Sequence, residues 1–185
     1  MADHADTKTT TGIGTGQGAD AAHAERERAF YDSLPRTRNA AGALLTTGEG
    51  RVLLVKPTYK PGWSLPGGVV EQQESPLAAC RRECAEELGF VPALRGLVCL
   101  DWLPGAGHPD GRPALIHVFA GGVDEAAFAR VRLPAEELSA VILAAPAELP
   151  DLLPPGRLRR VEAALAAGAA GTTAYLEGGR PVSWG

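Results

Sequence analysis

The sequence predicts an α/β protein in which helices pack on a mixed β-sheet. Two observations carry that class. Apolar runs of strand length alternate with helical segments in the order strands, helix, strands, helix. The first of those helices also has clear start and stop residues. Of the 185 residues, 45% are hydrophobic and 22% charged, which excludes a wholly disordered chain. At about 100–200 residues per domain, this length holds one domain with a short tail. No stretch reaches the roughly 18–20 consecutive apolar residues that span a bilayer.

Taken in order, residues 1–24 are rich in Ala, Asp, Thr, Gly and His. They hold too little apolar matter to offset the entropy of ordering, and a disordered tail is expected. They also lack a signal peptide's basic start and apolar core, and three cysteines (Cys80, Cys84, Cys99) cannot close a disulfide framework. A cytoplasmic protein is expected. Residues 25–34 read as a short helix that Pro35 ends. Runs 40–46 and 51–55 flank Thr-Gly-Glu-Gly and read as a β-hairpin. Residues 56–68 carry three prolines and three glycines, hence a loop. Ser75 followed by Pro76 supplies an N-cap hydroxyl and a proline at N1, and the helix should run to Leu88 and stop at Gly89. Runs 94–100, 114–123 and 138–143 are strand-like, with a polar loop at 104–113. Residues 155–167 form a closing helix, and 172–182 a small hairpin or a loose tail around Gly178-Gly179. The domain therefore extends over 25–169, with a tail or small hairpin at 170–185.

The informative helix is the one beginning at Pro76. At about 100° per residue, Glu83, Glu86 and Glu87 share an arc of roughly 100°, while Leu77, Cys80, Cys84 and Leu88 fall on another side and face the core. Carboxylates at i, i+3 and i+4 repel by tenths of a kcal/mol per pair, and the helix C-terminus disfavours anions. Local physics opposes this arrangement unless a cation compensates. Hard oxygen donors this close suit Mg²⁺ or Mn²⁺. Taken alone, Glu-x-x-Glu-Glu also fits a solvated acidic face.

The longer string is more specific. Gly68, five residues, Glu74, seven residues, Arg82-Glu83-Cys84, one residue, Glu86-Glu87, one residue, Gly89-Phe90 resembles a complete Nudix box, with Cys84 where an aliphatic residue is more usual. Trp63-Ser-Leu-Pro-Gly-Gly68 resembles the family's lead-in to it. The resemblance covers about residues 38–167 and implies the Nudix fold, an α/β/α sandwich around a mixed β-sheet. It implies metal-dependent hydrolysis of a diphosphate joined to another moiety, typically nucleoside diphosphate-X.

By the same resemblance, Glu86 and Glu87 are metal ligands, Glu83 is a third ligand or the base, and the Gly68 carbonyl adds a ligand. Glu74 and Arg82 pair and orient the acids. Glu137 is the candidate base outside the box, with Glu136 its competitor. Lys56 and Lys60 are phosphate candidates from their charge. Tyr59 and Trp63 are candidates to stack on a base, whereas Trp102 reads as core. Cys80 and Cys84 find no second Cys/His pair for a zinc site and read as packing. The implied partner is a small-molecule diphosphate. A net charge of −4 argues against a nucleic-acid footprint, no membrane partner is indicated, and dimers among relatives make a homodimer compatible. Two alternatives stand beside hydrolysis of nucleotide diphosphates: a non-catalytic nucleotide sensor, and a hydrolase of isoprenoid-type diphosphates.

Overall fold

The computed structural model describes residues 16–106 and 108–184. The chain divides into two compact units, Met1–Arg36 and Thr37–Gly185. The first contains α1 (Gly16–Ser33), which starts at Gly16 and not at Glu25. Alanines at 19, 21, 22 and 24 explain the difference, since propensity alone favours helix there although little is buried. The earlier part of the expected disordered tail, residues 1–15, lies outside the described residues.

The second unit is built on one sheet. Its strands are β1 (Arg38–Thr46), β2 (Val52–Pro57), β3 (Gly67–Val69), β4 (Leu94–Leu103), β5 (Ala114–Gly122), β6 (Leu138–Ala144), β7 (Ala174–Glu177) and β8 (Arg180–Pro181). The order is β6-β2-β1-β5-β4-β7-β8, with β3 paired to β1. β1 runs parallel to β5 and β4 parallel to β7, and the other ladders are antiparallel. The sheet is therefore mixed.

α2 (Pro76–Leu88) and the short α3 (Glu125–Ala129) cover one face; α4 (Leu149–Leu152) and α5 (Pro155–Ala170) cover the other. β2 shows why two layers of helix are needed. Val52 and Leu54 pack towards Val161 and Ala164 of α5, while Leu53 and Val55 pack towards Cys80 and Cys84 of α2, so Val52 through Val55 are all buried. The architecture is the expected α/β/α sandwich.

α2 obeys its local signals. The Ser75 hydroxyl accepts the Ala78 amide at 3.2 Å, and Gly89 ends the helix with φ 80°. The expected hairpin is short: β1 meets β2 at Thr46 opposite Val52. Beyond that tip β3 occupies β1 instead, with Ala40, Ala41 and Gly42 opposite Val69, Gly68 and Gly67. The proline-rich loop thus hides a strand too short to show periodicity. β4 also runs on past Leu100 through a fully buried Asp101, which the Arg160 guanidinium neutralises at 2.7 Å and to which the Gly179 amide donates at 2.9 Å. The last segment joins the sheet through β7, whose partners run from Cys99↔Ala174 to Trp102↔Glu177.

Candidate active site

α2 presents its acids to the β3 strand. Leu88, Cys84 and Cys80 are fully buried, which fixes the helix's rotation and turns Glu83 and Glu87 towards β3. At the centre is Arg82. Its Nε and Nη2 donate to the two oxygens of Glu74, each at 3.0 Å, and its Nη1 donates to Glu83 at 2.9 Å and Glu86 at 3.0 Å. Nη2 also donates to the Val69 carbonyl at 3.1 Å, tying the end of β3 to the helix. Glu74 in turn accepts the Glu71 amide at 3.0 Å. Hydrogen bonding to Arg82 is the main reason that the Glu74 carboxyl lies below the usual range.

Glu87 takes a different partner. It is 7% exposed and accepts the Gly67 amide at 2.7 Å. Burial pushes its pKa up to about 7, with Glu83 and Glu137 adding to the rise and the Gly67 amide and Lys60 opposing it. Glu83 is also raised, by burial first, against the pull of Arg82. Both glycines before the helix are required by close approach. A Cβ on Gly67, at φ 140°, would strike the Ala41 carbonyl, and one on Gly68 would strike the Glu83 carboxylate.

These groups line a cavity of about 570 Å³. Glu83, Glu87, Gly68 and Tyr59 contribute to its wall, as does Glu137 on the β6 side, immediately before that strand. Two threonine bonds bring that side in: the Thr58 hydroxyl donates to the carbonyls of Glu136 at 2.8 Å and Glu137 at 3.1 Å. Because β2 and β6 are neighbours, with Pro57 opposite Leu138, the loop after one meets the loop before the other. Three cations complete the lining, Lys60, Arg157 and Arg160. Arg157 and Arg160 lie in the first turns of α5 and carried no local sequence signal. A second cavity of about 570 Å³, near Arg95 and Thr172, is lined by no carboxylate.

Other sequence candidates lie elsewhere. Glu86 is not on the cavity wall; its side chain is 54% exposed and held by Arg82. Lys56 and Trp63 are off the wall too. The Lys56 ammonium stacks over the Trp63 ring at 5.8 Å, and that ring packs against the core on the α5 side. Trp102 is 37% exposed rather than part of the core, because β4 is flanked by the short β7 near the sheet's edge.

The donor set suits a hard divalent cation. It consists of carboxylate oxygens, and one guanidinium faces three carboxylates, leaving an excess of negative charge in that cluster. Among the described residues no three acidic, imidazole or thiol groups converge at metal-holding spacing. Arg82 draws Glu83 and Glu86 together while the Gly67 amide holds Glu87.

Comparison with known proteins agrees with this geometry. A stretch of 56 residues is 39% identical to an RNA pyrophosphohydrolase of Halorhodospira halophila, covering 30% of this chain and 31% of that protein. The chain's matches span 31% to 47% of the curated relatives' lengths. Among solved structures, a UDP-X diphosphatase superposes with TM-score 0.61 at 19% identity, over 85% of this chain and 75% of the other. A MutT protein from Methanosarcina mazei superposes with TM-score 0.58 at 19% identity, over 75% and 99%. At these identities the two structures establish the fold. The NUDIX domain model matches residues 36–164, which take in β1 to β6, α2 and most of α5. This chain belongs to the Nudix family.

Proposed function

We propose that this protein is a pyrophosphohydrolase dependent on Mg²⁺ or Mn²⁺, cleaving the diphosphate linkage of a nucleoside diphosphate-X substrate by attack of water on phosphorus. The observation that carries this reading is one cavity whose wall holds both the carboxylates Glu83, Glu87 and Glu137 and the cations Lys60, Arg157 and Arg160. Glu83, Glu86, Glu87 and the Gly68 carbonyl are the groups that would hold the metal. A divalent ion bound there supplies Lewis-acid polarisation of phosphoryl oxygens and makes water more acidic.

The chain's own residues do the rest. Arg82 aims Glu83 and Glu86, and the Gly67 amide aims Glu87, so the ligands are held before substrate arrives. Glu137 is the better base, because its side chain accepts no hydrogen bond among the described residues whereas Glu83 is tied to Arg82. Glu137 takes the proton from the attacking water on its carboxylate. Tyr59, 72% exposed at the rim, stacks on the moiety beyond the phosphates. The three buried, unpaired cysteines favour a reducing, cytoplasmic setting.

The test is Glu86→Gln. Mg²⁺-dependent hydrolysis of a nucleotide diphosphate panel should drop by about a hundredfold or more, with an unchanged melting temperature, because this side chain is largely solvent-exposed. Undiminished turnover sinks the reading. Binding of nucleotide by the wild-type chain without any hydrolysis would favour a sensing module instead.

A further inference from the structure

The two edges of the sheet are built in opposite ways. One ends in β8, which is two residues long, exposed, and made of an arginine and a proline. Short length, charge and a residue without an amide hydrogen all discourage a further strand from adding there. The other edge is β6, and over Leu138–Ala144 it holds neither a charged residue nor a proline. Its outer side meets no strand among the described residues.

The neighbouring ladder fixes which backbone groups of β6 face outwards. Val55 of β2 exchanges both of its backbone hydrogen bonds with Ser64, at 2.9 and 3.0 Å, on the side away from β6. Backbone groups alternate in direction along a strand, so Leu54 and Lys56 point at β6, towards Ile142 and Ala140. Val141 and Leu143 therefore turn their N–H and C=O groups outwards. The next outward amide, that of Ala145, is taken by the Glu148 carboxylate at 2.6 Å. No side chain or loop takes those of Val141 and Leu143 among the described residues. They form a ladder of donors and acceptors without a partner.

We propose that β6 pairs with β6 of a second copy of this chain, antiparallel about a two-fold axis at Ile142. In that register Val141 of each copy exchanges N–H···O=C bonds with Leu143 of the other, so every outward group between Ala140 and Ala144 is used. Ile142 faces Ile142 of the second copy in a non-hydrogen-bonded pair, where side chains come closest, and Ala140 faces Ala144. Charge supports the same occupant. Lys56 stands beside Ala140 on β2. One row across the joined sheet therefore holds Lys56 and Ala140 of one copy and Ala144 of the other. Ala144 lines a hollow of about 360 Å³ that also holds Glu148 and Asp151, so each copy brings a cation towards the other's acids. Glu136 and Glu137 lie in the turn before β6 and Glu148 in the short helical turn after it, outside the paired stretch. Pro146, which has no N–H, and the irregular register around Ser139 end the ladder. Because the β8 edge is blunted, the pair closes on itself and does not grow into a filament. The contact is short, so the dimer is weak, with Kd on the order of 10 µM. This pairing does not depend on the hydrolase reading.

Sedimentation equilibrium of the full chain between about 1 and 100 µM reads the association directly. The average mass should climb from one chain to two and no further. Val141→Pro removes an outward amide hydrogen and leaves the ladder to β2 intact, so it should weaken association about tenfold or more with little change in melting temperature. Cysteine variants read the register, since the native cysteines are all buried. Under diamide, Ile142→Cys should give a covalent dimer, because a non-hydrogen-bonded antiparallel pair brings Cβ atoms to disulfide distance. Val141→Cys and Leu143→Cys are each offset from their own position in the second copy and should crosslink at least about fivefold less.

A mass of one chain at every concentration overturns the proposal, as does a mass that passes two chains. A dimer untouched by Val141→Pro, or crosslinking of Val141→Cys equal to that of Ile142→Cys, also overturns it. If the proline variant fails to fold, the cysteine series decides alone.

Discussion

Two arginines in this molecule face carboxylates in opposite ways. Arg160 meets Asp101 one to one, at 2.7 Å, and the second Asp101 oxygen takes the Gly179 amide at 2.9 Å. Charge and hydrogen bonds are both balanced, and the pair joins α5, β4 and the β7–β8 turn. Arg82 instead serves Glu74, Glu83 and Glu86 together, beside a fourth acid, Glu87, raised to about 7. That centre is satisfied in geometry but not in charge. A balanced buried pair holds the fold together, whereas clustered carboxylates leave a charge that protonation of Glu87 or a bound cation would relieve.

The contrast can be broken at its structural side first. Arg160→Met leaves Asp101 buried without a cation, and stability to urea should fall by about 3–5 kcal/mol. A loss below about 1 kcal/mol would mean that Asp101 does not need its partner in order to stay buried.

Next is the pH response of the metal-free protein. The folded pKa of Glu87, about 7, lies above the carboxylate's ordinary 4.5, so its protonated form is the one that folding favours. This contribution is fully present below about pH 4.5 and is lost as pH rises through about 7, amounting to at most about 3 kcal/mol. Chelated wild-type protein should therefore melt at lower temperature at pH 8 than at pH 5, and Glu87→Gln should lack that part of the slope. Parallel profiles for the two proteins would contradict the burial argument.

Arg82→Lys tests the unbalanced centre itself. A lysine cannot chelate Glu74 and also reach Glu83, Glu86 and the Val69 carbonyl, so the acids lose their aim. If these acids hold a metal as proposed, activity should drop about 10–100-fold, the usual cost of losing a group that orients metal ligands. An active variant with unchanged Mg²⁺ affinity would show that Arg82 is only a structural tie. The smallest effect belongs to Lys56→Ala. It removes a cation stacked over Trp63 and should cost about 0.5 kcal/mol, with no change in KM, since Lys56 is off the cavity wall. A rise in KM would return Lys56 to the site.

Legibility in the sequence followed distance along the chain. α2 was readable to the residue at both ends, because Ser75, Pro76 and Gly89 act within one turn of where they stand. The spacing of Glu83, Glu86 and Glu87 placed them on one arc for the same reason. β3 was not readable, since three residues carry no period and their pairing with Ala40 through Gly42 depends on how β1 and β2 diverge. α1 was underestimated because alanine-rich helix forms by propensity without the apolar content that signals a core.

The sequence by itself determined the family, the carboxylate helix and the glycines at its approach, all features whose physics is local. Only the tertiary structure decided what faces those acids. Glu137 reaches the cavity because β6 pairs with β2 and Thr58 clamps the two loops. Arg157 and Arg160 reach it because α5 packs on the opposite side of the sheet from α2. Lys56 and Trp63, adjacent in sequence to the same loop, turn towards each other instead. Convergence of side chains from distant segments depends on strand order and on which face each helix covers, and no spacing along the chain encodes that.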